Sequence, residues 1–251
     1  MSNGLLKVLG WNATILHGDP AVFDRWQWLR GHLTPGPVRT FDAGCGSGAF
    51  TMYAAKIGNQ AVGMSFDRAN QEKAEERARI LGLDNVRFVT GDLRELDRHA
   101  PGLGTFDQVI CLETIEHILD DRKLVADLAS LLKPGGRLLL TTPYKHYRPL
   151  LGDRLSEVED GGHVRWGYTH EELERLFAEQ GLETTAKEYV SGWVPQKIMN
   201  LMRRVGRVNA MAGWALTFPL RVFQPLDAPV TRMTGYPHLS VGVVAVKRPT
   251  A

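Results

Sequence analysis

Cysteine is scarce in this chain of 251 residues: only Cys45 and Cys111 occur. Each lies in a run that reads as the floor of an α/β site, which excludes a disulfide framework and fits two reduced, buried thiols. Long apolar runs are missing too, and none approaches the roughly 20 residues a spanning helix requires. The opening MSNGLLKVLGWNATILHGDP lacks the basic start, apolar block and small-residue cleavage site of a secretory leader, so the expected location is cytoplasmic. A net charge of +2 is too small to demand a nucleic-acid partner. Acidic residues are absent over one long stretch, Tyr189 to Leu226.

What is present reads as an ordinary globular chain, with 43% hydrophobic and 23% charged residues, which excludes disorder and fibrous repeats. The length fits one α/β domain with an elaboration. Residues 19–32 carry Val22, Phe23, Trp26 and Leu29 at helical spacing, with Asp19 as N-cap and Pro20 at the first helical position, within a helical N-terminal extension over 1–34. Strand-like runs follow at VRTFDAG, QAVGMSF, VRFVTGD, FDQVICLET, RLLLTTPY, ETTAKEYVS and HLSVGVVAVKR. Helical patterns separate most of them. One carries a stripe at Leu124, Val125, Leu128, Leu131 and Leu132 and stops at Pro134; another opens on a capping box, Thr169 with Glu172, and ends at Gly181. Alternation of this kind predicts a mainly parallel sheet with helices on both faces.

Residues 41–48, FDAGCGSG, hold three glycines on alternate positions between a strand and a helix, where a ligand meets the backbone. A triphosphate loop needs Lys-Ser or Lys-Thr after the last glycine, and Ala49 and Phe50 stand there instead. Gly44, Gly46 and Ala49 satisfy a loose dinucleotide fingerprint. Asp42 discriminates: its negative charge would repel a pyrophosphate and attract a cationic ligand.

With that acidic residue, FDAGCGSG resembles the first motif of class I S-adenosylmethionine-dependent methyltransferases. VRFVTGDLRELD, FDQVICLETIEHI and LLKPGGRLLLTTP are similar to the family's later motifs, in order, and the resemblance covers roughly residues 38 to 190 and 238 to 248. It implies a Rossmann-like sheet of seven strands with the last inserted antiparallel between the fifth and sixth. It also implies that Gly44, Gly46 and Gly48 let the backbone approach the homocysteine part of S-adenosylmethionine, that Asp42 orients its ammonium, and that Leu112 and Glu113 touch the amino acid part. Asp92 would accept from the adenine amino group beside Leu93. Where the family often places an acid for the ribose, this chain has Ser65, followed by Phe66, which could lie on the adenine, and Asp67, which fits a helix N-cap equally well.

Methyl transfer to a hydroxyl needs alignment and a proton acceptor. In ETIEHI, His117 is the first choice of base, beside Glu116; the plainer reading is that the two only cap and orient the helix beginning near Asp120. The same stretch resembles the Glu-x-x-Glu-His motif of ubiquinone-pathway O-methyltransferases and small-RNA terminal 2′-O-methyltransferases, where it is linked to a divalent metal. Glu113, Glu116 and His117 with His163 form that alternative set. His163, Trp166, Tyr168 and Tyr144 are candidates for the acceptor pocket or for packing.

The acid-free stretch holds Lys197, Arg203, Arg204, Arg207 and Arg221 among apolar and aromatic residues. It reads as a helical lid over 193–236 between the last two strands. The lid packs on the core, meets a second subunit, or lies on an anionic membrane, which would place the protein peripherally at its inner face. Nucleic acid ranks last. The expectation is a single unit, 1–251, that transfers methyl from S-adenosylmethionine to oxygen of a small or lipid-like acceptor. The alternatives are a metal-assisted RNA 2′-O-methyltransferase, a non-catalytic nucleotide-binding protein and a nicotinamide-dependent oxidoreductase.

Overall fold

The computed structural model describes residues 3–249; the first two and last two residues of the expected 1–251 unit lie outside them. Three helices lead: α1 (Asn3–Leu9), α2 (Asn12–His17) and α3 (Pro20–His32). Asp19 caps α3 by accepting from the Val22 N–H at 3.1 Å, and Pro20 takes the first turn, where its missing N–H costs nothing. The body then alternates: β1 (Arg39–Ala43), α4 (Ala49–Lys56), β2 (Gln60–Ser65), α5 (Arg68–Ile80), β3 (Val86–Thr90), α6 (Leu96–Leu103), β4 (Phe106–Leu112), α7 (Asp121–Leu131), β5 (Leu132–Pro143), α8 (His170–Glu179) and β6 (Leu182–Val190). Helices α9 (Trp193–Gly206) and α10 (Ala210–Thr217), a 3-10 stretch (Phe218–Leu226) and α11 (Asp227–Thr234) separate β6 from β7 (Ser240–Lys247).

The seven strands form one sheet in the order β3-β2-β1-β4-β5-β7-β6, with β7 antiparallel to both neighbours, as the motifs implied. Period-two alternation divides the core between its faces. Phe41, Val109, Cys111, Leu138, Leu140 and Val243 pack with residues of α6, α7 and α8, including Leu103, Leu128 and Phe177. Ile110, Leu139 and Val244 point the other way and pack with Trp28 and Leu29 of α3 and Met52 of α4. The Trp28 ring lies so close to β7 that a Cβ on Gly242 would meet it at 2.6 Å. Strand order reverses direction between β1 and β4, and the carboxyl ends of those two strands, at Ala43 and Leu112, open the cleft in which the candidate residues collect.

Candidate active site

Two cavities meet at the glycine turn. One, about 410 Å³, is lined by Gly44, Gly46, Ser65, Phe66, Asp67, Asp92, Leu93, Glu113 and His117 among others. The other, about 380 Å³, lies toward the N-terminal helices and includes Thr14, His17, Arg25, Asp42, Leu112 and, again, Gly44, Gly46 and Glu113. The turn is left-handed at all three glycines. Their hydrogens serve different ends: a Cβ on Gly44 would meet Thr114 Oγ1 at 2.3 Å, one on Gly48 would meet Phe88 and Ala74, and only Gly46 faces open space. Gly48 lines neither cavity; it lets α4 settle on β3 and α5 rather than a ligand approach.

Asp42 sits next to the carboxyl end of β1, in register with Gly63 of β2 and Ile110 of β4. It is 3% exposed, and its carboxylate accepts from Thr51 Oγ1 at 2.6 Å. Burial pushes its pKa up to about 6, against the pull of the Thr51 hydrogen bonds. A buried carboxylate with no cation bonded to it is costly when charged, and a ligand ammonium would offset that cost. Arg25 lines the same cavity from α3. A carboxylate and a guanidinium on one cavity suit the two charged ends of an α-amino acid. Sequence reasoning missed Arg25, because an arginine on an amphipathic helix reads as surface, and nothing in its spacing signals that α3 folds back over the turn.

Glu113 stands where the two cavities join. Its φ of 49° is left-handed, a conformation that costs a non-glycine residue about 1 kcal/mol or more. The Thr141 carbonyl accepts its N–H at 2.8 Å, and its carboxylate accepts from Thr141 Oγ1 at 2.9 Å and from Ser240 Oγ at 3.3 Å. Toward Phe66 and Leu93, Asp67 caps α5 by accepting from the Asn70 N–H and also lines the cavity. Phe66 is 71% exposed at the rim, Leu93 is buried below it, and Ser65 Oγ lies 3.4 Å from the Asp67 N–H. Asp92 is gripped by Arg94, whose hydrogen bonds hold its carboxyl below the usual range.

The ETIEHI stretch forms a short 3-10 turn rather than a cap. Asp120 is the N-cap of α7, accepting from the Lys123 N–H, so neither Glu116 nor His117 caps that helix. Glu116 is fully buried; its Oε2 accepts from Thr142 Oγ1 at 3.1 Å, while Oε1 has no hydrogen-bond partner among the described residues. Burial, and then the charge of Glu113, raise its pKa well above the carboxylate range. His117 Nε2 and His163 Nε2 lie 3.9 Å and 4.0 Å from that orphan oxygen, and the two rings meet edge to face at 4.8 Å. His117 Nδ1 sits 3.0 Å from the Gly162 carbonyl, which can only accept; Nδ1 therefore donates, and in the neutral ring the lone pair falls on Nε2. Burial, and the charge of His117 whenever that ring is protonated, lower the pKa of His163 from the ordinary histidine value.

The other aromatic candidates do not join this group. Tyr168 is buried and donates to Asp121 Oδ2 at 2.7 Å while accepting from Arg165, a structural tie between the loop and α7. Trp166 and Tyr168 line a separate open cavity with Arg122 and Arg175. Tyr144 packs edge-on against His146 and Tyr189, 5.3 Å from each. A residue-type argument could not separate them from His163, because the separation comes from the path of the loop, which packs Gly167 against the Pro143 carbonyl and puts Trp166 and Tyr168 on the other cavity.

A seven-stranded Rossmann-like sheet with an antiparallel last strand, an acidic first strand end and a glycine turn over a bipartite cleft define an S-adenosylmethionine-dependent methyltransferase. Residues 24–187 match the model of the family described as "Methyltransferase domain", and the chain belongs to that family. Among curated proteins, it is 32% identical over 119 residues to a ubiquinone biosynthesis O-methyltransferase of Xanthomonas axonopodis pv. citri, covering 47% of this chain and 48% of that one. A protein of the same name from Methylococcus capsulatus is 34% identical over 118 residues, with the same coverage. The chain thus spans about half the length of the curated relatives it matches. Among solved structures, a putative sarcosine dimethylglycine methyltransferase from Galdieria sulphuraria superposes with a TM-score of 0.63 at 16% identity, covering 92% of this chain and 86% of that one. A [4+2]-cyclase superposes at 0.61 with 22% identity, covering 90% and 81%. These two likenesses establish the fold alone, and no helix among the described residues is long and apolar enough to cross a membrane.

Proposed function

We propose that this methyltransferase acts on a hydroxyl oxygen of a small or lipid-like acceptor, with His117 as general base. The observation that carries the reading is the Gly162 carbonyl at His117 Nδ1, which makes Nδ1 the donor and, in the neutral ring, puts the lone pair on Nε2 of a residue lining the cleft. An amine already holds a nucleophilic lone pair, whereas a hydroxyl must lose a proton, so a positioned base favours oxygen. The curated relatives' names agree with that choice.

When bound, S-adenosylmethionine supplies a methyl group on a positively charged sulfur. Asp42 and Glu113 would hold its ammonium, Arg25 its carboxylate, and Ser65, Phe66, Asp67, Asp92 and Leu93 its adenosine. The backbone at Gly44, Gly46 and Leu112 shapes the passage between the two halves. Buried Glu116 positions His117 and His163, and His163 orients the acceptor oxygen. Residues 1–251 would act as one unit, with 193–236 closing over the acceptor. A panel of phenolic and aliphatic alcohols, with and without polyprenyl chains, tests this by mass spectrometry of methylated product. O-methyl product supports the reading, and methylation of amines alone overturns it.

A second reading rests on the orphan Glu116 Oε1. Together with ring nitrogens of His117 and His163 it forms a set whose ligand atoms all lie within 4.8 Å of one another, suited to a divalent cation that would polarise the acceptor oxygen. Glu113, expected in that set, is instead tied to Thr141 and Ser240. Loss of activity with a chelator and recovery with Mn²⁺ would favour this form.

A further inference from the structure

Within the acid-free segment, α9 buries Val194, Ile198 and Met199 in the ordinary way, but the part after it leaves many apolar side chains outward. Met211, Leu216, Val222, Phe223 and Leu226 are 64, 59, 72, 52 and 53% exposed, whereas Thr217 and Gln224 are buried. Burial ordinarily runs the other way. The polar side chains are the anchors: Gln224 Nε2 donates to the Pro20 carbonyl at 3.1 Å and to Asp24 Oδ1 at 2.9 Å, and Arg221 donates to the carbonyls of Leu16 and Gly18. Thr217 Oγ1 is spent on the Gly213 carbonyl at 2.8 Å. Beyond α9 the segment is therefore fastened to α2 and α3 by these polar groups and by Trp214 packed on His17, while Met211, Leu216, Val222, Phe223 and Leu226 are left outward. On α10 the solvent side is Met211, Ala212, Ala215 and Leu216, one helical stripe without a polar side chain.

Cations border this apolar face. Arg204 and Arg207, at the end of α9, are exposed and make no ion pair among the described residues, and Val208 beside them is 92% exposed. Arg203, by contrast, is paired with Asp153 at 2.5 Å. Asp227, the first acid after the stretch, accepts from the N–H groups of Gly192 and Val194 and faces inward.

We propose that this outward face docks on the surface of an anionic lipid bilayer, with Val208, Met211, Leu216, Val222 and Phe223 in the boundary between headgroups and acyl chains and Arg204 and Arg207 on the phosphates. Charge decides between a bilayer and a second copy of the chain. A two-fold pairing sets a patch against itself, and this patch has arginines with no carboxylate to receive them. A bilayer receives both the apolar side chains and the cations. Docking does not depend on the acceptor or on turnover, so it stands or falls separately from the reaction.

Co-sedimentation of the full chain with vesicles tests it, comparing phosphatidylcholine alone with phosphatidylcholine containing phosphatidylglycerol. The chain should sediment with the anionic vesicles and lose most of that binding between about 0.1 M and about 0.5 M salt. The double variant Arg204→Gln/Arg207→Gln should lower partitioning by roughly 25-fold, about fivefold for each arginine. Val222→Ser/Phe223→Ser should remove the salt-resistant remainder, and both variants should keep the wild-type unfolding midpoint because the altered side chains are exposed. Absence of binding to anionic vesicles, or binding that neither variant changes, overturns the proposal. So does a concentration-dependent dimer of the wild-type chain that Val222→Ser/Phe223→Ser dissociates, since it assigns the face to a second copy.

Discussion

The carboxyl end of the sheet and the helices between β6 and β7 break the same rule in opposite ways. Around the cleft, an apolar scaffold buries two carboxylates, Asp42 and Glu116, and burial raises the pKa of each. In the inserted helices beyond α9, Gln224 and Thr217 are buried while Met211, Leu216, Val222, Phe223 and Leu226 face out. Both arrangements cost the isolated chain stability, and in both the proposed occupant would remove the cost: a cation in the cleft, a low-dielectric surface outside. The difference lies in scale. A buried charge is a point defect that selects one ligand group, while an exposed apolar stripe is an extended defect that selects a surface.

The comparison breaks most sharply at His117. His117→Ala should lower turnover by about a hundredfold or more while leaving S-adenosylhomocysteine affinity within about twofold, measured by product formation and by calorimetry. A smaller but still large effect is expected at Asp42, where Asp42→Ala should weaken S-adenosylhomocysteine by roughly 10- to 100-fold, the range of a lost hydrogen bond to a charged group. The same position sharpens the contrast through stability. Because its folded pKa is raised to about 6, Asp42 favours the ligand-free fold below the ordinary aspartate range, and that contribution is lost as pH rises through about 6. Asp42→Asn should therefore stabilise the ligand-free protein by about 1–3 kcal/mol at pH near 8 and by little near pH 4, read from unfolding curves.

In the inserted helices the effects are smaller. A Cβ on Gly213 would meet the Met202 carbonyl at 2.7 Å and Gly206 at 3.0 Å, so Gly213→Ala should prise α10 from α9 at a cost of about 1–3 kcal/mol. Phe223→Ser, on the exposed side, should change stability by no more than about 0.5 kcal/mol, against several for a core phenylalanine such as Phe41.

Much of the body was legible because its signals are local. Asp19 with Pro20 marked the start of α3, the Thr169 and Glu172 capping box marked α8, and both side chains of that box bond as the spacing implied. Period-two runs marked the strands. Less legible was α6, for which no helical signal was found: it carries Pro101 and Gly102, and Leu96 and Leu103 are buried in it. The end of α7 at Leu131, ahead of Pro134, reflects β5 pairing from Leu132 onward, a tertiary demand that no local residue announces. In the cleft, Asp42 and the ETIEHI residues were readable as chemistry out of place in a strand and its following loop. Arg25 was not, because its role comes from where α3 lies. The same holds for Tyr168 and Trp166, which composition placed with His163 and the chain path separates.

Calorimetric titration of S-adenosylhomocysteine into the wild-type chain and Asp42→Asn, across pH 5 to 8, tests the cation-selecting role of Asp42 most directly. Wild-type affinity should be level above about pH 6 and fall by up to about tenfold per unit below it as the carboxyl takes up its proton, while Asp42→Asn binds weakly at every pH. Equal affinities for the two proteins, with the same pH dependence, would contradict it.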